Sequence, residues 1–281
     1  MTLARRPGPS TRTRVTELCG DARVQHEDRL ATEEPLEIRI ASPGAPARRA
    51  GITMRTPGHD FELAAGWLVH EGITAPEHVQ TVRYCTDVRL DPEEEFNVVT
   101  VELAAPPLLE PEARLVSSAC GVCGKDSIGS ALRPATARND AGLPADGPVL
   151  SVETVRSLPE ALLAEQTGFQ RTGGLHAAGL FDAEGTRVVV REDVGRHNAV
   201  DKVVGSRVLA GKPVPPVLVL SGRVGFELVQ KAVVAGISIV VAVGAPSSLA
   251  VRLAAEAGLT VVGFTRPDRC VVYAGAERVG V

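Results

Sequence analysis

The chain has 281 residues, room for one large or two modest domains. At 44% hydrophobic and 23% charged it has a globular composition, which excludes a mostly disordered, collagen-like or coiled-coil chain. A net charge of −4 lacks the basic excess of non-specific nucleic-acid binders but permits a local basic pocket for an anion. The first residues carry Arg5, Arg6, Arg12 and Arg14 with no apolar core behind them, so they do not read as a secretory signal. Residues 1–22 are read as a disordered basic tail outside the fold. No apolar run approaches the ~20 residues of a membrane span, and a cytoplasmic protein is expected.

A first α+β unit is predicted over 23–115. Leu36–Ile40 alternates apolar with charged residues, the pattern of a half-buried strand, and Ile52–Thr56 reads as another. A helix from about Asp60 carries Phe61, Leu63, Ala64, Leu68 and Val69 at helical spacing and stops at Gly72. Val79–Thr86 and Phe96–Leu103 read as two further strands. Residues 116–148 hold Cys120 and Cys123, and from Arg133 are rich in Pro, Ala, Gly and Asp, as a linker is.

A second unit is predicted over 149–281. It runs as a helix at Leu158–Gln166 with Pro159 at a tolerated early position, a strand pair at His176–Phe181 and Arg187–Arg191, and a helix at His197–Leu209. Strands at Val217–Leu220, Ser238–Val243 and Thr260–Phe264 then alternate with helices at Phe226–Ala235 and Ser247–Ala257. This order predicts a three-layer α/β sandwich with a mainly parallel sheet. Ligands in such folds bind beyond the strand C-termini. There the chain places Asp193–Arg196, Ser221–Gly225, Gly244–Ser248 and Thr265–Arg269, rich in Gly, Pro, Ser and Arg and suited to an anion.

Five cysteines in a chain of this length, with no export signal, do not suggest a disulfide framework. The pair Cys120/Cys123 stands out in Ser117-Ser118-Ala119-Cys120-Gly121-Val122-Cys123-Gly124-Lys125. Two thiols at this spacing can form a disulfide, share a metal or hand sulfur to each other. Lys125 can stabilise a nearby thiolate, the reactive form. The structural alternatives are half of a zinc site, which would need ligands no second motif supplies, or two bystander thiols. A second motif joins Thr172–His176 to Arg191–Lys202. Capping and a solvated face explain Asp193 there, but explain Arg196, His197 and Asn198 together less well. Only four of the 30 basic residues are lysine, at 125, 202, 212 and 231, a bias that reflects either genome composition or a need for a compact ammonium where lysine is kept. The third feature is Phe264-Thr265-Arg266-Pro267-Asp268-Arg269. Its two arginines suit a phosphate clamp or, equally, a charged surface turn.

Taken together, SSACGVCGKDSI (117–128), TGGLHAAGL (172–180), REDVGRHNAVDKVVG (191–205), SGRVGFELVQKAVVAGI (221–237) and APSSLAV (245–251) resemble the FdhD family of formate dehydrogenase accessory sulfurtransferases. EEPLEIRI (33–40) and MRTPGHDFELAAGWLVHEGI (54–73) resemble its N-terminal part, so the likeness runs from about Asp21 to the C-terminus. The resemblance implies a carrier that takes persulfide sulfur from a cysteine desulfurase onto its CxxC loop. It would pass the sulfur to the molybdenum (or tungsten) bis-guanine-dinucleotide cofactor before insertion into formate dehydrogenase, with guanine nucleotides able to mimic that cofactor. The persulfide residue would be Cys120 with Cys123 as partner, and the cofactor-contacting stretch would fall on Phe264–Arg269.

Beside these, Lys125 would favour the charged sulfur. Gly195, Arg196, His197, Asn198, Ser221, Gly222 and Arg223 would line the anionic ligand. No zinc is expected, and a homodimer is the expected oligomer. The order of the second unit also resembles the cytidine deaminase fold. Its zinc chemistry is not expected, because the openings of the two matching helices lack the H-x-E and P-C-x-x-C ligands. A cofactor-binding chaperone without sulfur transfer is a competing reading, and a thioredoxin-like redox protein a poorer one.

Overall fold

The computed structural model describes residues 8–85, 96–111, 143 and 147–280, with the backbone of 114–116. The chain opens with an antiparallel ribbon of β1 (Ser10–Cys19) and β2 (Ala22–Ala31). This corrects the reading of a disordered tail from Ser10 onward; residues 1–7 lie outside the described residues. Thr11, Thr13, Val15 and Thr16 are β-branched. The two-residue turn Gly20-Asp21 has Gly20 at φ 58°, the positive φ that tight hairpin turns demand.

The first unit is a five-stranded sheet in the order β5-β6-β3-β4-β7. These strands are β3 (Glu34–Ser42), β4 (Ala45–Arg55), β5 (Val79–Tyr84), β6 (Val98–Leu103) and β7 (Arg114–Val116). Leu36, Ile38 and Ile40 alternate onto one face and bury against Leu63, Trp67 and Leu68 of helix α1 (Asp60–His70). β7 lies parallel to β4, with Val116 opposite Thr53.

After the short strand β8 (Leu150–Ser151), which pairs in parallel with the last strand β15 (Val279–Gly280), the second unit is a six-stranded sheet in the order β10-β9-β11-β12-β13-β14. The strands are β9 (His176–Phe181), β10 (Arg187–Asp193), β11 (Val217–Leu220), β12 (Ile239–Ala242), β13 (Thr260–Arg266) and β14 (Arg269–Ala274). Helices α2 (Val152–Ala164) and α3 (Thr167–Thr172) precede it, and α4 (Arg196–Leu209), α5 (Phe226–Val234) and α6 (Ser248–Ala257) follow in turn. Val217, Val219, Ile239, Val241 and Val262 bury under Val155, Leu158 and Leu162 of α2. Leu218, Leu220, Val240, Ala242 and Val261 bury under α4, α5 and α6 on the opposite face. A period of two in each strand thus feeds both faces, and the unit has three layers.

The sheet is mixed rather than mainly parallel: only β11–β12 and β12–β13 run parallel. The turns Asp182–Gly185 and Pro267-Asp268 are too short for a crossover, so β9–β10 and β13–β14 must be antiparallel. Thr265–Arg269 is therefore a hairpin tip, not the opening of a helix. Helix α2 starts six residues earlier than predicted, with Ser151 accepting from the Thr154 amide at 3.1 Å, and Pro159 lies in its interior.

Candidate functional site

The ends of β11, β12 and β13 and the start of β9 converge on a cleft of about 620 Å³. Ser221, Val243, Thr265, Arg266 and Pro267 form its floor, and Gly173, Gly174, Leu175 and His176 one wall. Helix α2 and the α3 region add Pro159, Glu160, Leu163, Gln166 and Phe169. A smaller concavity of about 230 Å³ lies at Phe264, Arg266 and Arg269, so Arg266 borders both.

The floor is built for display. Arg266 donates from one Nη1 to the Val243 carbonyl at 3.0 Å and to its neighbour's carbonyl at 2.8 Å. Among the described residues its Nε and Nη2 have no acceptor. Beside it Thr265 is buried, and its Oγ1 makes no hydrogen bond among the described residues. Phe264 holds φ at 48° with its ring 41% exposed. A bulky residue in left-handed backbone stores strain, and such strain clusters at ligand clamps. Asp268, at the hairpin tip with Pro267, is exposed.

His176 ties the wall to the other predicted loops. A Cβ at Gly222 would lie 3.3 Å from its Nδ1, and the Gly244 amide donates to the Gly222 carbonyl at 3.1 Å. Burial lowers the His176 pKa, and the charges of Arg196, His197 and Arg223 lower it further against Asp193. Its imidazole is therefore neutral at pH 7 and can accept or donate one hydrogen bond. Ser221 Oγ accepts from the Ala177 amide at 2.8 Å. His197 is buried with Nε2 3.6 Å from Glu227. Arg196 is half-buried, and its Nε has no hydrogen-bond partner among the described residues. Arg223 is exposed.

The rest of the Arg191–Lys202 motif does different work. Arg191 grips Glu62 of α1 with Nε and Nη2, at 2.5 and 2.7 Å. Glu192 accepts from the Gly168 and Phe169 amides, both at 2.7 Å, at the start of α3. Asp193 does not act as an N-cap: α4 begins after Gly195, and Asp193 is fully buried, accepting from the Gly195 amide and from Asn198. Asn198 also donates to the Met54 carbonyl at 2.7 Å and accepts from Thr53, so its amide is occupied by strand β4. Lys202 meets the Thr56 carbonyl at 2.9 Å, the Glu192 carbonyl at 3.2 Å and Asp193 at 2.7 Å. Asp201 meets His70 at 2.5 Å and Lys231 at 2.6 Å. The predicted solvated face is a buried clasp between the two sheets.

Cys120, Cys123 and Lys125 lie outside the described residues. The strand leading to them does not. Val116 pairs with Thr53, whose hydroxyl donates to Asn198, two residues from Arg196. Cys120 follows Val116 by four residues, an upper reach of about 14 Å. The described cysteines differ in setting: Cys19 is exposed, Cys85 accepts from Arg39 Nη1 at 3.7 Å, and Cys270 packs against the core under α2. Among the described residues no group of three or more His, Cys, Asp or Glu side chains could hold a metal, and no helix is long and apolar enough to cross a membrane.

His176, Glu160, Leu163, Gln166, Phe169 and Leu175 were absent from the predicted site. Of these, His176 and Leu175 lie in the Thr172–His176 segment that the sequence singles out. The residues from α2 and α3 had no signal, since an exposed helix face shows no sign of what it closes over.

The site thus defines a mixed α/β protein that presents arginine, hydroxyl and imidazole groups in a cleft, in a chain that also carries a CxxC segment after β7. Comparison with known proteins gives the family. The FdhD/NarQ family model matches residues 31–280, and the chain belongs to that family. The "Sulfur carrier protein FdhD" of Nocardia farcinica is 48% identical over 274 residues, covering 96% of this chain and 95% of its own. That of Streptomyces coelicolor is 49% identical over 282 residues, with 96% and 95% covered. A crystal structure from Desulfotalea psychrophila, described as a candidate formate dehydrogenase accessory protein, is 26% identical with a TM-score of 0.74, covering 96% of this chain and 99% of that one.

Proposed function

We propose that this chain is a sulfurtransferase that carries persulfide sulfur from a cysteine desulfurase to the molybdenum (or tungsten) bis-guanine-dinucleotide cofactor of formate dehydrogenase. The relatives' common name supports sulfur carriage. The observation that carries the reading is the cleft that offers Ser221, Thr265, Arg266 and His176 to an anionic ligand, in a chain whose strand β7 ends four residues before Cys120. A dinucleotide offers pyrophosphate to Arg266 and Arg269 and flat rings to the apolar side at Leu163, Phe169 and Leu175.

In loading, the Cys120 thiolate attacks the outer sulfur of the donor's persulfide. The donor's S–S bond breaks, its thiolate leaves, and Cys120 carries S–SH. In delivery, the Cys123 thiolate attacks the inner sulfur. A Cys120–Cys123 disulfide forms and hydrosulfide leaves toward the bound acceptor, the two thiols supplying the electrons that reduce the sulfur. Neither step requires zinc. Lys125 favours the thiolate by its charge. The order of the second unit fits the cytidine deaminase resemblance as scaffold, without its chemistry.

The test is intact mass after incubation with a cysteine desulfurase and cysteine. A gain of one sulfur (about 32 Da) that is lost in Cys120→Ala supports the carrier. No gain on the wild type, with guanosine diphosphate still bound, favours a cofactor chaperone instead.

A further inference from the structure

All of the β1–β2 ribbon but Ala31 lies outside the stretch that the family model matches, and its charges are sorted by face. Register sets Arg12 opposite Arg29, Arg14 opposite Glu27 and Leu18 opposite Arg23. All four arginines of the ribbon therefore share one face, with Glu27 the sole acid there. Glu17 and Asp28 lie on the other face with Val15, Val24 and Leu30. Like charges directly opposite one another destabilise a ribbon, so the Arg12/Arg29 pair opposes folding of the arm by itself. Arg12 reaches Glu27 at 3.5 Å, whereas Arg14, Arg23 and Arg29 have no carboxylate within ion-pair distance among the described residues.

The root of the arginine face lies against the cleft wall, while Thr13 and Val15 of the other face are also half-buried. Ser10, Arg29 and Ala31, all on the arginine face at the root, are half-buried, and a Cβ at Gly174 would meet the Ala31 methyl at 3.5 Å. Gly174 is part of the cleft wall. From there the ribbon extends into solvent, with Leu18 near its tip 72% exposed among the arginines. Ten residues span about 33 Å, the scale of a protein surface rather than of a small ligand. A two-stranded ribbon that buries so little of either face is marginal alone.

We propose that this ribbon is a docking arm whose arginine face seats an acidic protein surface at the cleft mouth, and that the protein seated there is the enzyme that receives the cofactor. This rests on the carrier reading above. Charge complementarity chooses a protein over a nucleic acid. The whole chain is acidic, and the acids on the arm's second face would repel a phosphate backbone lying along it.

The experiment measures binding to immobilised, cofactor-free formate dehydrogenase catalytic subunit at low salt. It compares the wild type, a variant with Arg12, Arg14, Arg23 and Arg29 all changed to Gln, and one with all four changed to Lys. The expected result is a Kd weakened about tenfold or more in the Gln variant and restored in the Lys variant, while guanosine diphosphate affinity stays at the wild-type value. Equal Kd for wild type and Gln variant overturns the proposal, as does no binding by the wild type. A parallel loss of guanosine diphosphate affinity would assign the ribbon to the ligand site, and duplex DNA binding lost with the arginines would assign it to nucleic acid; either overturns it. Sulfur loading of Cys120 by intact mass tests the carrier reading separately.

Discussion

Gly66 of α1 and Gly205 of α4 face each other where the two helices cross, so closely that neither position has room for a single carbon. A Cβ on Gly66 would lie 1.9 Å from the Asp201 carbonyl oxygen, and one on Gly205 would lie 1.8 Å from that of Glu62. Backbone cannot yield as the end of a flexible side chain can. Gly66→Ala or Gly205→Ala is expected to cost about 3 kcal/mol or more by forcing the helices apart. Urea denaturation should show the loss as a lowered midpoint. A midpoint near wild type would mean that this crossing does not hold the two sheets together.

Lys202 is 1% exposed, and its ammonium meets three acceptors with its three donors. A planar guanidinium on a longer stem cannot reproduce that arrangement, which gives a physical reason for lysine in an arginine-rich chain. Lys202→Met leaves Asp193 buried and uncompensated and is expected to cost about 3–5 kcal/mol. Lys202→Arg should also destabilise, through overpacking. Thermal melts of the two variants check this. An unchanged Tm in Lys202→Met would show that Asp193 is neutralised by other means.

Burial lowers the pKa of His70 despite its hydrogen bond to Asp201, so the ring is neutral in the fold. His70 Nδ1 donates to Asp201, and the bare Nε2 has no hydrogen-bond partner among the described residues. On unfolding, the ring regains its ordinary pKa near 6.5. The unfolded state therefore binds more protons below that pH, and stability falls as pH drops below 6.5. His176 has the same sign. Further down, burial would raise Glu62, but hydrogen bonds from Arg191 and His59 outweigh it and hold the carboxyl at about 2. Its contribution is present above 4.5 and is lost as pH falls toward 2. His70→Asn keeps a donor for Asp201 and removes the titrating ring. Its stability should fall less steeply than that of the wild type between pH 6.5 and 5, measured as urea midpoint against pH. Identical slopes would exclude His70.

The sequence made the sheets legible where burial repeats every second residue, as at Leu36, Ile38 and Ile40. It hid β1, whose strand character rests on β-branched residues amid arginines, and β14, which exists because a Pro267-Asp268 turn folds the chain back. The Arg191–Lys202 motif was legible as important but not as divided. Arg196 and His197 face the groups around His176, while Asp193, Asn198, Asp201 and Lys202 join the sheets. Both uses demand polar residues at a helix opening, and only tertiary contacts with Met54, Thr56 and His70 tell them apart. The same holds for Glu160, Leu163 and Phe169, which become cleft residues only when α2 and α3 close over β13.

This division predicts opposite phenotypes within one motif set. Arg266→Ala with Arg269→Ala removes charged donors from the two concavities. Guanosine diphosphate affinity should fall tenfold or more, since hydrogen bonds to charged groups contribute about 1.5–3 kcal/mol each. Stability should change little, because both side chains are exposed. Asn198→Ala should do the reverse. It leaves the Met54 carbonyl and Asp193 short of a donor, lowering the Tm, while affinity measured well below the melt stays near wild type. Calorimetric titration and thermal melts of both variants decide the matter. If the double arginine variant binds as the wild type does, Phe264–Arg269 is a charged surface turn; if Asn198→Ala loses affinity without losing stability, Asn198 reaches the ligand after all.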